Sequence, residues 1–490
     1  MRTSRRPSGF TPRARPSVAG VTGVTERNPW ERLGDLGVLL PLAAAYLLFA
    51  LRARAGQPLS GDEPHYLAIT QGLWLYHTVD QHRVLYGHDF FAYFPHLMSS
   101  HAVHRGAHLY PLHYLGLPLL LLPGFVLAGA AGGRVTLSLV ALLVAWRTLR
   151  LARRVAGPAA AALTVGALGL SAPFVLNAGA IYPDLPSALL LTLAYEAVDA
   201  PRLTPRRALA LGALLACMPW LHVKLLAVAA VYLVWAVFLL WRQTWAGDAP
   251  GRGIVASGLL ALGLPALSLV GLMLFSRALY GSLNPTAPYQ GGPTLLSGNP
   301  VEGAMGQIFA QGQGALGTAP FILLALPGLV VLWQRDRPTA LKIALVTVPF
   351  WLLTLTYRNW WGGDCPPLRF LLPVLPLWAI GIAALLARVR TILARLVVAL
   401  LVAWTLALSL VIPAAPRLGW PLPDGRGALA LALGARLRLP LAAWLPAVDP
   451  ATVGPDVWRN AALVPVWTAG LFLLWGILAW WERRARASTP

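Results

Sequence analysis

Residues 36–51 read LGVLLPLAAAYLLFAL, and soon after comes Ser60-Gly61-Asp62-Glu63-Pro64-His65-Tyr66. The first of these stretches decides the fold class. An uncharged run of this kind approaches the length a helix needs to cross about 30 Å of hydrocarbon. Comparable runs recur at about 133–150, 158–176, 184–199, 207–220, 222–241, 254–276, 317–333, 340–356, 369–387, 393–412 and 462–481. Hydrophobic residues make up 57% of the 490 and charged residues 12%, too little polar surface for a soluble chain of this size. A membrane β-barrel would instead show alternating segments of about 10 residues. The expected class is all-α, a polytopic bundle of about 12 transmembrane helices.

The charge distribution orients the bundle. Of the 39 basic residues, 25 fall in the segments assigned to the inner side, although the outer segments are longer. Basic residues concentrate in cytoplasmic loops, so both termini are expected there. A net charge of +21 has the same explanation, and no nucleic-acid partner is inferred. Four parts follow: a disordered basic cytoplasmic tail over 1–34, a transmembrane module over 35–412 with a large outer loop at 53–132, an extracytoplasmic interfacial segment over 413–461, and a last helix with its tail over 462–490. Within the loop, 115–131 reads as interfacial or re-entrant, because a span there would push Arg147, Arg150, Arg153 and Arg154 outside. No cleavable signal peptide precedes the first span, which is expected to serve as the targeting signal. Cys217 and Cys365 give no disulfide framework. The chain shows no strong inverted repeat, which counts against common transporter designs.

With this orientation the rare polar groups gather at the outer face. An enzyme acting on a lipid headgroup would collect them at one interface, whereas a transporter would place them nearer the bilayer midplane. Asp62 and Glu63 open a short helix, with Pro64 suited to its first turn, expected to lie on the membrane with its carboxylates exposed. Asp62 is otherwise readable as a plain helix cap, and so is Asp184 in Tyr182-Pro183-Asp184. Lys224 follows His222 in a tight turn between spans. Lys is a compact charge suited to phosphate, and equally a side chain that snorkels to the membrane surface. Arg358 to Arg369 encloses Trp361, paired glycines, Asp364 and paired prolines. Its two arginines can clamp a phosphate, while its tryptophans also serve as interfacial anchors.

Nine of the ten histidines lie between residues 60 and 114. His101, His104 and His108 have the spacing of one helical face. Thiolates and an HExxH pattern are both lacking, so no metal site is assigned and no cofactor is firmly expected; a divalent metal stays an open alternative.

Together these residues resemble the GT-C superfamily of polyprenol-phosphate-sugar-dependent glycosyltransferases. They are most similar to the glycosyltransferase 39 type, which includes protein O-mannosyltransferases and lipid A aminoarabinose transferases. The resemblance rests on Asp62-Glu63-Pro64-His65-Tyr66 after the first span and Leu109-Tyr110-Pro111-Leu112-His113-Tyr114-Leu115-Gly116-Leu117-Pro118 at the loop's end. It extends to Ile181-Tyr182-Pro183-Asp184 and to the Trp-Gly-Gly loop ending in Arg369 and Pro373, and covers most of 36–390. His113 stands in the region where the aminoarabinose transferases carry a lysine.

The resemblance implies an inverting glycosyltransferase of a bacterial cell membrane. A polyprenyl-phosphate-linked sugar is its donor; a glycan, lipid or protein is its acceptor; membrane lipid surrounds it. Asp62 becomes the general base on the extracytoplasmic face, with Glu63 supporting and Asp184 orienting the acceptor or sharing the base role. His113, Lys224, Arg358 and Arg369 become the donor-phosphate contacts. His65, Tyr66, Tyr182, His222, Trp361 and Asp364 are further pocket candidates. The alternative is a transporter or flippase of a lipid-linked or polar substrate, in which a polar path would continue to the inner face.

Overall fold

A computed structural model describes residues 29–52, 59–247, 251–289, 296–414, 418, 427–447 and 456–487. Helix α1 (Pro29–Arg52) begins before the expected boundary, so residues 29–34 belong to the first helix and not to a tail. The rest of the expected tail lies outside the described residues. Helix α2 (Glu63–Leu75) follows, then an antiparallel hairpin of β1 (Ala102–Arg105) and β2 (His108–Pro111). Helix α3 (Gly116–Val155) is broken at Ala128 and Gly129, where Gly129 takes φ +58°, a conformation only glycine adopts without strain. The bend brings its two limbs together: a Cβ on Gly132 would lie 1.8 Å from the Gly124 carbonyl oxygen.

Among the described residues, seven helices are long and apolar enough to cross a membrane, and a bent pair, Pro158–Gly169 with Ala172–Gly179 at 58°, makes up to eight. The chain is a polytopic helical membrane protein. Twelve spans were expected, and four of the expected runs give shorter helices for local reasons. Asp184–Val198 and Pro205–Leu221 are helices of 15 and 17 residues. The run at 317–333 is interrupted near Pro320, passing from a helical turn through a 3₁₀ segment into Ala325–Arg335. The run at 369–387 becomes helical only from Leu375. Of 413–461, the described part contains short helices at Ala428–Leu437 and Leu441–Trp444.

Small residues set the packing of the first helices. Tyr46 of α1 donates its hydroxyl proton to the Gly169 carbonyl at 2.9 Å, and Phe49 lies where a Cβ on Gly179 would come within 2.5 Å of its ring. Ser138 of α3 donates to the Ala178 carbonyl at 3.0 Å. Interhelical hydrogen bonds and backbone approach through glycine hold helices together where lipid offers no hydrophobic drive. Four further helices define one end of the bundle. Helix α4 (Asp184–Val198) and α5 (Leu225–Trp245) begin there, α6 (Arg337–Leu355) finishes there, and α7 (Leu375–Leu386) starts just beyond the 357–374 segment.

Candidate active site

Helix α2 is packed into the protein over most of its length. Glu63 through Gly72 are buried against the protein, chiefly α3, and the expected exposure of both carboxylates is half wrong. Glu63 is only 2% exposed. Its Oε2 accepts from the Ser60 amide at 2.9 Å and its Oε1 from the Ile181 amide at 2.8 Å, with the Arg134 guanidinium 3.8 Å away. One carboxylate thus ties the start of α2 to the segment leading into α4. Arg134 was not singled out in the sequence. The available signal was an arginine at the start of an apolar span, a position where charge calls for a partner.

Asp62 caps α2 with its backbone carbonyl and makes no side-chain cap bond, so its carboxylate is free for other work. Its Oδ2 accepts from both terminal nitrogens of Arg369 at 3.3 Å. Among the described residues its Oδ1 takes no hydrogen bond; His113 Nε2 and His101 Nδ1 lie 3.8 and 3.9 Å from it. Those gaps are too long for direct hydrogen bonds and leave room for a bridging group. His65 stacks on His101 with ring centroids 3.9 Å apart, and Tyr66 packs against His113 at 4.4 Å. The side chain of Asp62 is 27% exposed.

Burial raises the Asp62 carboxyl, but the charges of His113, Arg369 and His101 outweigh it and hold the group at about 2. Burial pushes His65 down to about 3, helped by repulsion from His101 and His113. Burial likewise pushes His113 down to about 4, against the attraction of Asp62. Both imidazoles are therefore neutral near pH 7, and the permanent cation beside Asp62 is Arg369.

Asp184 is the first residue of α4, yet its side chain does not cap it. Its Oδ2 accepts from Arg369 Nε at 2.7 Å and its Oδ1 from Lys224 Nζ at 2.6 Å, with both acid and lysine side chains fully buried. Lys224 and Arg369, expected to meet a donor phosphate, both meet carboxylates here. The physical reason is burial: a lysine with 0% side-chain exposure requires a counter-charge in place. Arg369 lies 4.0 Å from the Tyr182 ring and also donates to the Gly362 carbonyl.

The Tyr182 hydroxyl lies 2.9 Å from the Ser60 carbonyl and 3.0 Å from that of Asp364, locking the three site segments to one another. Gly61 sits in that junction at φ +52°, and a Cβ there would lie 2.5 Å from the Asp364 carbonyl oxygen. The Asp364 carboxylate is outside the cluster. His222 accepts the Lys224 amide on Nδ1 and closes the turn between spans. Trp361 packs on Trp360, and its carbonyl oxygen receives the buried Cys365 thiol. Cys217 and Cys365 are both free. Arg358 is exposed and makes no ion pair among the described residues.

The expected helical face of His101, His104 and His108 does not exist, because these residues belong to the hairpin and its approach. Strand spacing separates them. His108 pairs with Asp80 at 2.7 Å, while His101 turns to Asp62. Asp62, His101 and His113 offer three ligand atoms within 4.8 Å of one another, a set able to close on a small cation as well as on a hydroxyl.

No protein-family model and no curated protein matches the chain. Among solved structures it is similar to ArnT from Cupriavidus metallidurans bound to undecaprenyl phosphate. That likeness has TM-score 0.48 and 18% identity and covers 91% of this chain and 74% of that one. The apo state of the same protein gives TM-score 0.49 and 16% identity over 91% and 76%. The archaeal oligosaccharyltransferase AglB from Archaeoglobus fulgidus, in complex with an inhibitory peptide and a dolichol-phosphate, gives TM-score 0.47 and 11% identity. It is matched over 85% of this chain and 59% of its own length.

Proposed function

We propose that the chain is an integral-membrane glycosyltransferase that moves a sugar from a polyprenyl phosphate to an acceptor hydroxyl or amine, with Asp62 as general base. The supporting observation is the asymmetry of the Asp62 carboxylate. Arg369 fixes one oxygen, while the other takes no hydrogen bond among the described residues and lies between two imidazoles, on a side chain that is partly exposed. A general base needs a free oxygen within hydrogen-bond reach of the proton it takes, and this is the oxygen that has one to give.

In this reading the acceptor oxygen attacks the anomeric carbon while its proton passes to Asp62 Oδ1. The bond from that carbon to the phosphate oxygen breaks, and polyprenyl phosphate leaves with the bonding electrons. Attack opposite the leaving group inverts the anomeric centre. Arg369 positions Asp62 and keeps it ionised, and Asp184 with Lys224 holds Arg369. This revises the roles first assigned to those three residues. His113, as a neutral hydrogen-bond donor, and the unpaired Arg358 remain as donor-phosphate contacts, because Lys224 and Arg369 already carry carboxylates. Glu63 acts as a tether. The Asp62 end faces outward, both termini lie in the cytoplasm, and the membrane is a bacterial inner membrane.

The test is transfer from a polyprenyl-phosphate sugar in membranes carrying Asp62→Asn. Removal of a general base is expected to lower the rate by about 10²–10⁴-fold while the melting temperature stays near that of the parent. Full transfer by a folded Asp62→Asn protein would overturn the mechanism.

A further inference from the structure

A second feature lies at the opposite end of the bundle. Helices α4 and α5 start beside the catalytic cluster, and α6 ends beside it. Arg242 is 17 residues beyond Leu225, the first residue of α5, which is roughly 25 Å along the axis. There, between the far ends of α4, α5 and α6, is a cavity of about 940 Å³. Its walls include Val234 and Phe238 of α5 and Leu341 and Leu345 of α6, all exposed on membrane-length helices.

Three polar features mark one part of this apolar cavity. Arg242 and Lys342 line it together with a single carboxylate, Asp199. Asp199 already receives Lys342 at 2.7 Å and Arg154 at 3.2 Å, and Arg242 donates only to the Pro201 carbonyl at 3.0 Å. Two cations thus share one acid and Arg242 has no carboxylate among the described residues, leaving positive charge at the cavity. Trp235 also lines it, 5.8 Å from Lys342, and its buried indole N–H has no acceptor. An unpaired buried donor is costly to leave unmet.

We propose that this cavity is a binding site for one anionic diacyl phospholipid of the leaflet opposite the catalytic cluster. An acyl chain lies along α5 and α6, and the headgroup phosphate is held by Arg242 and Lys342 with the Trp235 N–H nearby. The apolar walls exclude a free soluble anion as the natural occupant, and the surplus cations favour an anionic over a zwitterionic headgroup. The size suits a ligand site, which typically spans about 300–1,000 Å³.

The test is native mass spectrometry of the full chain titrated with phosphatidylglycerol or with phosphatidylcholine of identical acyl chains. The parent should retain one phosphatidylglycerol about tenfold more tightly than phosphatidylcholine, given two basic groups at the headgroup. Arg242→Gln with Lys342→Gln should erase that preference. Arg242→Gln alone, which removes only an exposed contact to a carbonyl, should weaken it and guards against misfolding of the double variant. Val234→Trp keeps both cations and narrows the cavity, so it should lose the retained lipid. Equal retention of the two lipids by the parent, unchanged preference in the arginine and lysine variants, or displacement of phosphatidylglycerol by polyprenyl phosphate at lower concentration would each overturn the proposal.

Discussion

Asp62 and Asp184 share one arginine and differ in almost everything else. Asp184 has a cation on each oxygen and no exposure, so its bonding capacity is filled. Asp62 has one oxygen on Arg369 and one between two imidazoles, on a side chain that is partly exposed. A buried acid is kept where its charge is matched. An acid that must accept a proton during turnover is kept where one oxygen is not. The difference separates a residue that holds the site together from one able to act in it.

That contrast can be broken first at Asp184. Asp184→Ala leaves Lys224 as an uncompensated buried cation and takes from Arg369 one of its two carboxylates, and breaking such a buried pair costs about 3–5 kcal/mol. Thermal unfolding in detergent should show the largest fall of any single change in the cluster. Asp184→Ala combined with Lys224→Met should recover part of it. An unaltered melting temperature in the single variant would remove the distinction between the two acids.

A smaller effect is expected at Gly61, between Asp62 and the Asp364 carbonyl. Gly61→Ala imposes a left-handed conformation on a residue with a Cβ, costing about 1–2 kcal/mol, and pushes the start of α2 from the 364 segment. Sugar transfer should drop more than stability does, because the displaced neighbour is the base. Equal loss in both would place the strain elsewhere.

The smallest effect is that of pH. His65 and His113 have folded values below the ordinary 6.5, at about 3 and about 4, so the unfolded chain binds more protons between those values. Stability must rise as pH increases from about 4 to 6.5 and flatten above it. Asp62, held at about 2 against an ordinary 3.8, adds stability that is lost only as pH falls below that ordinary value. The rate of transfer should accordingly stay flat from pH 6.5 upward into the neutral range, since the base is already ionised. Melting curves across pH 4–7 and a rate profile check both; a rate that climbs through pH 6–7 would point to a histidine as the base.

Much of this was legible before the fold was known. Long uncharged runs announce membrane helices because each backbone polar group in hydrocarbon needs an internal partner. Clustering of Asp62, Asp184, Lys224 and Arg369 followed from assigning these residues to one end of the spans. The pairings did not follow. Sequence treats Lys224 and Arg369 as available cations, and only packing reveals that Asp184 lies between them. The histidine spacing misled for a related reason: a period of 3.6 means nothing in a segment that forms a hairpin. Sequence and structure part on the spans where prolines and short helices interrupt runs that composition alone reads as continuous.

The sequence by itself determined the class of molecule and the end at which its rare charges gather, because hydropathy and the placement of ionisable groups are properties of the chain. Tertiary structure alone decided which acid is satisfied and which is open, that Glu63 is a buried tether held near Arg134, and that three histidines converge on Asp62. It also made the cation-flanked cavity between α5 and α6, whose walls come from segments about a hundred residues apart. The cause is the same throughout. Burial and pairing depend on atoms brought together from distant parts of the chain, and no local pattern records which partner arrives.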